Sequence, residues 1–330
     1  MSNLPLSMRA AQYTTASSGI DKSIRINQVP LPDKLPEGHT LVKVAYASIN
    51  PADYKIPESI FHYAFSKPAT PGMDWSGTIV KTTRKDLVLG QRVFGNIGPT
   101  RHGALAEYIV VGAGCVPLPD SVPFDQAACV GVAGLTAFQS IVPYSPRSVF
   151  INGGSGGTGT FGIQVAKTCG AHVVTSCSTS NVQLCKDLGA DEVIDYRSQD
   201  LMAELRKHEF DHVVDNVFNS ASLYWYAHEY LKARGVYLTI AGSPSLSDAW
   251  EFAKVLLLPG FLGGGKRQFK FILADVNQKD LVAVAEWMAQ GKIKAHIDET
   301  FDLAEIADAF AKLKLGRTRG KIVIKIAEST

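Results

Sequence analysis

Residues 148–159 read Ser148-Val149-Phe150-Ile151-Asn152-Gly153-Gly154-Ser155-Gly156-Gly157-Thr158-Gly159, an apolar run that passes directly into a glycine-rich turn. The run predicts a buried strand, and the periodic apolar residues after the turn predict an amphipathic helix. A second apolar run begins at His172, where a strand–helix–strand unit needs its next strand. The glycines have the G-x-G-x-x-G spacing of a dinucleotide-binding turn. The predicted nucleotide contacts are Gly154, Ser155, Gly156, Gly157, Thr158 and Gly159.

The rest of the chain divides by pattern into a β-rich part and an alternating part. Up to about residue 125, short apolar runs are separated by Pro, Gly and Asp, as in an all-β domain. From about residue 126, short apolar strands alternate with helical patterns, which predicts an α/β fold with a parallel, doubly wound sheet. The predicted helices of this part include 127–141, 182–188, 201–207, 220–231 and 281–290. The tail from residue 300 reads as strand, helix and strand.

Composition restricts the possible partners. The chain has 330 residues, a formal net charge of +2 and 46% hydrophobic residues, so it is long enough for two domains, and no excess charge favours nucleic acid or an anionic membrane. Its five cysteines form no C-x-x-C pair, which indicates reduced thiols in a reducing compartment. The first residues lack the pattern of a signal peptide, and the apolar run at 255–262 is too short to cross a bilayer. We expect a cytoplasmic protein without membrane contact.

Several segments together resemble the medium-chain dehydrogenase/reductase family, and within it the zinc-independent quinone oxidoreductase and enoyl reductase branch. The resemblance covers nearly the whole chain. It implies a GroES-like catalytic domain at 1–125 and 298–330, a Rossmann nucleotide-binding domain at 126–297, an active site in the cleft between them and possible homodimers. The segments that carry it are Ala47-Ser48-Ile49-Asn50-Pro51-Ala52-Asp53-Tyr54-Lys55, Pro71-Gly72-Met73-Asp74-Trp75-Ser76-Gly77, Gly134-Leu135-Thr136-Ala137, the glycine turn, 188–196 and 316–323.

The residues at the family's zinc positions argue against a metal. Where zinc-dependent members carry Cys, His or Glu, and Cys, this chain has Asn50, Met73-Asp74 and Val132. Zinc requires three protein N, S or O ligands, so Asp74 cannot hold the ion alone. His62 and His102 have no metal-motif spacing, and a solvated or satisfied histidine explains each of them better. We therefore predict a metal-free enzyme.

The predicted second strand of the nucleotide domain ends without an acidic residue. An NAD-specific site usually has Asp or Glu there, which binds the ribose 2′-hydroxyl and repels a 2′-phosphate. This chain has Ser176-Cys177-Ser178-Thr179-Ser180-Asn181 instead. NADPH is therefore the predicted cofactor, although Ser180 stands where relatives often have Arg, and Ser178 could equally serve as a helix N-cap. By resemblance, the remaining cofactor contacts are Thr136, Ser178, Asn181, Tyr196, Asn216, Ala241, Gly242 and Lys321.

The segment from Asn50 to Lys55 is, by resemblance, beside the nicotinamide. Asn50 and Lys55 can donate hydrogen bonds and Tyr54 a phenolic proton, so these three residues are the catalytic candidates, whereas Asp53 is as plausibly a structural cap. Asn-Pro also marks a turn, so part of the motif is architecture. The candidate walls of an apolar pocket, each also explained by core packing, are Phe61, Tyr63, Trp75, Phe261 and Phe271.

These features predict an NADPH-dependent reductase of an activated C=C bond in an enone, enoyl thioester or quinone, acting on a small apolar carbonyl or quinone substrate. Electrostatic stabilisation of the enolate oxygen would replace a metal. Three alternatives stay open at this stage. They are direct quinone reduction, a pathway enzyme that uses the fold for a non-redox step, and a nucleotide-binding adaptor.

Overall fold

A computed structural model describes residues 4–32, 34–59, 63, 65–98, 103–240, 250, 252–255 and 264–326. The chain divides into a first unit, Met1–Leu135 with Asp275–Thr330, and a second unit, Thr136–Ala274. The sequence placed these divisions near residues 126 and 297. The difference arises because the helix Gln278–Ala289 and the π-helical turn Val130–Gly134 pack against each other and against the β-rich part.

Strands supply the framework of both units. In chain order they are β1 Ser7–Gln12, β2 Arg25–Pro30, β3 Thr40–Ile49, β4 Asp74–Thr82, β5 Arg92–Asn96, β6 Tyr108–Val111, β7 Cys115–Pro117, β8 Ser148–Asn152, β9 His172–Cys177, β10 Glu192–Asp195, β11 Phe210–Asp215, β12 Leu231–Thr239, β13 Gln268–Phe271, β14 Ile297–Asp302 and β15 Lys321–Lys325.

The α-helices are mostly short. Those with described bounds are α1 Ile20–Ser23, α2 Pro51–Lys55, α3 Phe124–Ala127, α4 Leu135–Ile141, α5 Gly157–Thr168, α6 Val182–Asp187, α7 Leu201–Leu205, α8 Ser222–Trp225, α9 Gln278–Ala289 and α10 Ile306–Lys314. Short 3₁₀ turns precede or follow several of them. The long helix predicted over 127–141 is therefore three pieces, α3, the π-helical turn and α4.

The first unit is built on a mainly antiparallel sheet in the order β14-β15-β3-β4-β5-β7, with β6 also paired to β3. Strands β1 and β2 form a separate antiparallel pair. The tail returns to this unit because β15 pairs antiparallel with β3, Ile322 lying opposite Ile49. That register brings the next residues, Lys321 and Asn50, to the same end of the sheet. Ser48, Asp74 and Asn96 lie across from one another on β3, β4 and β5 at this end.

The second unit is a six-stranded parallel sheet in the order β10-β9-β8-β11-β12-β13. The strand order reverses at β8, next to the glycine turn, and this is the switch point at which doubly wound sheets bind ligands. Strands β8 and β9 are buried over all but their first residues, as expected for a sheet covered on both faces. The predicted parallel, doubly wound sheet is confirmed.

One predicted helix of this unit is corrected. The pattern over 220–231 predicted a continuous helix, but the structure has α8, a 3₁₀ turn at Ala227–Glu229, and then β12 from Leu231. The helix ends early because the Phe210 backbone N–H donates to the Tyr230 carbonyl, which ties the chain into the sheet. The Tyr230 hydroxyl, in turn, donates to the Leu223 carbonyl. Strand β13, which closes the sheet at its edge, was not predicted.

Candidate active site

Three glycines of the turn after β8 are needed for the fold itself, and one of them is Gly154, where a Cβ would collide with the buried Thr175 hydroxyl oxygen. Gly153 has φ +79°, a conformation that side chains with a Cβ rarely adopt. A Cβ on Gly159 would collide with the Gly153 carbonyl and come within 2.7 Å of the Gly154 Cα. The helix α5 can therefore approach the strand only because residue 159 is glycine.

Gly156 has a different explanation. It caps α5 with φ −80°, which any residue can adopt, and a Cβ there would meet only the Gly153 carbonyl oxygen, at 3.6 Å. No side chain caps the helix, so backbone N–H groups at the start of α5 are available to an anion. A side chain at residue 156 would enter space that the described protein atoms leave open. This arrangement fits the pyrophosphate of a dinucleotide.

This contrast gives a first prediction. Gly156→Ala is expected to fold with nearly the parent stability but to lose nucleotide affinity by at least about tenfold, since its methyl group fills space that a phosphate needs. Gly159→Ala is expected to lose both stability and affinity. Gly162→Ala is the matched control within α5, because a Cβ there makes ordinary contacts of 3.5 Å or more. Thermal unfolding and calorimetric nucleotide titration measure the two effects, and equal behaviour of the 156 and 162 variants would contradict this role for Gly156.

Polar side chains gather after the end of β9. Asn181 Nδ2 donates to the hydroxyls of Ser155 and Ser178, at 3.2 and 3.1 Å, which joins the glycine turn to the loop after β9. The Asn181 Oδ1 atom is buried and has no hydrogen-bond partner. Tyr196 is about half exposed, with the Arg197 guanidinium over its ring. Ser178, Asn181 and Tyr196, the predicted contacts of a 2′-phosphate, lie near the same strand end, and no acidic residue stands at 177–181.

The end of β11 carries a second polar group. Asp215 accepts hydrogen bonds from Asn152 Nδ2 at 2.8 Å and from the Tyr237 hydroxyl, and it is fully buried. The next residue, Asn216, has both amide atoms buried and without a partner. A buried amide with no partner costs free energy, so this one fits a ligand that supplies the missing hydrogen bonds. Thr136 is buried in the first turn of α4, and Ala241 and Gly242 lie outside the described residues.

In the first unit, the strand ends form a buried polar cluster, which we call the inner network: Ser48, Asn50, Asp53, Asp74, Asn96 and Lys321. Asp74 is its centre. The Asp74 carboxylate accepts from Asn50 Nδ2 and Asn96 Nδ2, both at 2.9 Å, and from Ser48 Oγ at 3.3 Å. The Lys321 ammonium lies 3.5 Å from the same carboxylate, with side chains 3% and 0% exposed. Such a buried ion pair is satisfied only because neutral donors complete it.

The Asn50 amide is fully committed within the inner network. Its oxygen accepts from the Lys321 ammonium, and its nitrogen donates to Asp74 and, at 3.4 Å, to Asp53. The opposite assignment of the amide would set its oxygen against two carboxyls and its nitrogen against an ammonium, so the neighbours fix the orientation. Asn50, predicted as a donor to substrate, therefore directs both donor hydrogens inward.

Lys321 was predicted to contact the cofactor. Its place inside the inner network, beside Asn50 and Asp74, was not predicted. Lys321 is buried at the start of β15, where its ammonium donates to the Asn50 side chain and to the Ile49 carbonyl. Asn96 was not singled out at all. Both lie far along the chain from Asn50, and only the pairing register of β3, β4, β5 and β15 brings them together.

Asp53 is the second buried acid of the inner network. One oxygen accepts from the Asn50 backbone N–H at 2.7 Å, while the other is buried with no partner. Burial, reinforced by the nearby Asp74 carboxylate, raises the pKa of Asp53 to about 7, although hydrogen bonds from Asn50 and the charge of Lys321 oppose the rise. A protonated Asp53 leaves the network with one carboxylate for its one ammonium.

Helix α2 ends with the other two catalytic candidates, which differ in burial. Tyr54 packs against the core of the first unit, and burial raises the pKa of its hydroxyl. Lys55 is partly exposed in the last turn. Its ammonium makes no hydrogen bond or ion pair with any residue in the described part of the chain. Within the part of the chain that the structure describes, Asn50 is thus the candidate with both donors committed, whereas neither the Lys55 ammonium nor the Tyr54 hydroxyl has a partner.

The side chains of the inner network are not the set of ligands that zinc prefers. An amide and an ammonium surround Asp74, and the ammonium already supplies the positive charge that a metal would bring. Among the residues that the structure describes, no three His, Cys, Asp or Glu side chains are grouped as metal ligands. His62 and His102 lie outside the described residues.

The aromatic residues predicted to line an apolar pocket differ in their burial. Trp75 is fully buried in the core of the first unit, whereas Tyr63 and Phe271 are exposed. Phe61 and Phe261 lie outside the described residues.

Within the described ranges, every helix is too short or too polar to span a membrane.

Comparison with known proteins identifies the class. Residues 36–120 match the alcohol dehydrogenase GroES-like domain, and residues 188–324 match the family model called zinc-binding dehydrogenase. The chain belongs to the medium-chain dehydrogenase/reductase family, in its quinone oxidoreductase and enoyl reductase branch, and it is an oxidoreductase. The predicted GroES-like and Rossmann folds are thereby confirmed, and the fold supports a nicotinamide cofactor.

Individual relatives are similar over most of their length. The trans-enoyl reductase pgmF of Aspergillus terreus is 41% identical, covering 99% of both chains. The 2-methylene-furan-3-one reductase of Solanum lycopersicum is 31% identical over 98% of this chain and 80% of its own. The quinone oxidoreductase from Coxiella burnetii superposes with a TM-score of 0.85 at 27% identity, covering 97% of this chain and all of that one.

Proposed function

We propose that this protein reduces the C=C bond of an α,β-unsaturated carbonyl compound with NADPH and without a metal. The observation that carries the proposal is the full-length similarity to a trans-enoyl reductase. A second relative is named for a 2-methylene-furan-3-one, which is itself an enone. The glycine turn, the loop after β9 and the unpartnered Asn216 amide are the residues we propose to hold the nucleotide.

The chemistry assigns separate tasks to the residues. When bound, a reduced nicotinamide would supply a hydride to the β-carbon and leave negative charge on the carbonyl oxygen, and a proton from a side chain or from water would then complete the reduction at the α-carbon. Lys55 stabilises that charge by hydrogen bonding, and Tyr54 is the second candidate donor. Asn50 is a positioning residue. Its hydrogen bonds in the inner network hold the start of α2, and this helix carries Tyr54 and Lys55.

The inner network supports the proposal that the reaction needs no metal. The Lys321 ammonium and the Asn50 amide stand beside Asp74, so a divalent cation would meet an existing positive charge and only one carboxylate. Taking this carboxylate away would leave the Ser48 hydroxyl and the Asn96 amide without an acceptor and the buried Lys321 ammonium without its counter-charge. We therefore assign the stabilisation of the enolate to side-chain donors.

The preference for NADPH gives a second prediction. The residues after β9 contain hydroxyls and an amide but no acid, and Lys186 and Arg197 lie in the neighbouring segments. NADPH is expected to bind more tightly than NADH in calorimetric titrations. Ser178→Asp is expected to weaken NADPH binding selectively, because the new carboxylate repels a 2′-phosphate. Ser178→Asn is the uncharged control. Equal affinity of the parent protein for the two cofactors, or tighter NADH binding, would refute the preference.

Turnover tests the reaction itself. Purified protein mixed with NADPH and a small enone is expected to consume both in equal amounts, followed by the loss of NADPH absorbance and by chromatography of the saturated ketone. Binding of NADPH without turnover of enone, enoyl thioester or quinone would instead indicate a nucleotide-binding adaptor or a non-redox enzyme.

A further inference from the structure

Two lysines from the tail of the chain contact the two ends of the segment around α2. Lys321, in β15, donates to the Asn50 side chain, where α2 begins. Lys314, the last residue of α10, pairs at 2.8 Å with Glu58, which lies three residues after the end of α2. The second contact lies outside the inner network, at the opposite end of the helix.

Glu58 is joined to α2 through its backbone. Its N–H donates to the Tyr54 carbonyl at 3.0 Å, and the Ile56 N–H donates to the Ala52 carbonyl at 3.1 Å. The turn at 56–58 therefore continues the hydrogen bonding of the helix. Because of these bonds, the position of Glu58 is coupled to that of the last turn of α2, which contains Lys55.

One carboxylate oxygen of Glu58 accepts from two donors on different elements. They are the Ile20 backbone N–H, at the start of α1, and the Lys314 ammonium, each at 2.8 Å. The same ammonium donates to Asp21 at 2.7 Å. We call Asp21, Glu58 and Lys314 the outer triad. Their side chains are only 16%, 24% and 28% exposed, so water and salt screen these charges less than those of an open surface pair.

The outer triad rests on packed helices. Helices α1 and α10 contact each other, and Ile20 and Phe310 from these helices are buried in the core of the first unit. Gly19 leaves room for the ammonium, because a Cβ there would come within 2.9 Å of the Lys314 Nζ. The two elements that supply donors to Glu58 are thus fixed by the core, and they can anchor the end of α2.

The charges of the outer triad also act on Tyr54. Burial is the largest cause of the raised pKa of the Tyr54 hydroxyl, the Glu58 charge raises this pKa further, and the Lys314 charge lowers it. The Tyr54 ring itself packs against the same core as α1 and α10. The outer triad therefore lies beside one of the two residues that α2 offers to the reaction.

We propose that Lys314 is a positioning residue for the reductase reaction. Through Glu58 it holds the end of α2, while Lys321 holds the start of the same helix. The helix held between these two contacts presents Lys55 to the substrate carbonyl. The proposal rests on the proposed function, which assigns the donor role to Lys55. A displacement of about 1 Å in such a group can cost about 10²-fold in rate, so an anchor at each end of a five-residue helix has a direct effect on catalysis.

Lys314→Met removes the anchor at the end of α2. The single-turnover rate of hydride transfer to an enone is expected to fall by about tenfold, because the anchor at the start remains. Both kcat and kcat/KM are expected to fall by the same factor, since the donor acts on the transition state rather than on the bound substrate. NADPH affinity, measured by calorimetry, stays near the parent value. Lys314→Arg keeps the charge and is expected to recover most of the rate.

Lys312→Met is the matched control on the same helix. The Lys312 side chain is 31% exposed and pairs with Asp298 at 2.8 Å, so it resembles Lys314 in exposure but does not contact the end of α2. This variant is expected to transfer hydride at the parent rate. Glu58→Gln removes the charge from the other side of the contact. The double variant Lys314→Met/Glu58→Gln is expected to be no slower than Lys314→Met alone, because both changes act through one interaction.

Hydrogen exchange of the peptide at 50–59, followed by mass spectrometry, tests the anchor without turnover. In Lys314→Met this peptide is expected to exchange faster than in the parent, while peptides from β3 and β4 keep their protection. Parent-like hydride transfer by Lys314→Met, or the same losses in the Lys312 variant, would overturn the proposal. Failure of the proposed function has a different signature. In that case the parent itself would not reduce the enone, although exchange would still report whether Lys314 holds α2.

Discussion

Lys321→Met is expected to lower the free energy of unfolding by about 3–5 kcal/mol, the usual cost of leaving a buried charge without its partner. The ammonium of Lys321 lies 3.5 Å from the Asp74 carboxylate and also donates to Asn50 and Ile49. A methionine fills much of the same volume but supplies no charge and no donor. Urea unfolding followed by far-UV circular dichroism measures the loss.

Lys312→Met is the matched control on the surface. Its ammonium pairs with Asp298 at 2.8 Å, but the Lys312 side chain is 31% exposed, and exposed ion pairs contribute about 0–1 kcal/mol. The double variant Lys321→Met/Asp74→Asn is expected to recover part of the loss, because it removes the uncompensated carboxylate. Equal, small losses for the 321 and 312 variants would show that the inner network does not stabilise the first unit.

Lys55→Ala is expected to slow enone reduction by about 10²-fold while NADPH affinity stays near the parent value. Removing one donor to a developing oxyanion costs roughly 10²–10³ in rate, and partial solvation of the ammonium places the expected loss at the lower end. Both kcat and kcat/KM are expected to fall, because the negative charge on the carbonyl oxygen develops only as the transition state forms. Single-turnover hydride transfer, followed by NADPH absorbance, measures it.

Lys22→Ala supplies the control for Lys55. Both lysines are basic residues in the last turn of a short helix of the first unit, α1 for Lys22 and α2 for Lys55. The Lys22 variant is expected to turn over at the parent rate. If folded Lys55→Ala protein also transfers hydride at the parent rate, Lys55 is not the donor, and Tyr54→Phe becomes the next variant to measure.

The second unit could be predicted from sequence because its determinants are local. The apolar run at β8, the glycines after it and the spacing to β9 lie within thirty residues and specify a parallel sheet with a nucleotide turn. Strand β13 escaped prediction because it has only four residues, Gln268–Phe271, and none of them is fully buried. The helix predicted at 220–231 was too long because the Tyr230 carbonyl accepts a hydrogen bond from Phe210 at the start of β11. No local sequence pattern indicates this contact.

The inner network could not be predicted because its determinants are distant. Asp74, Asn96 and Lys321 are buried polar residues on three different strands, and each strand by itself gives no reason to expect the others as neighbours. The sequence predicted that Asn50 and Val132 cannot replace zinc-binding thiolates and that Asp74 cannot hold the ion alone. It did not indicate what satisfies them, which is a lysine that enters from the last strand of the chain.

The fate of a labelled hydride tests the central claim most directly. Chelator-treated protein, checked for zinc by elemental analysis, is given NADPH carrying deuterium at the transferable position of nicotinamide C4, together with an enone, and the product is analysed by mass spectrometry and NMR. The predicted result is one deuterium at the β-carbon of the saturated ketone, formed at the same rate before and after chelation. Saturated product without deuterium at that carbon, or activity that is lost with the chelator and restored by zinc, would contradict metal-free hydride transfer to an activated C=C bond.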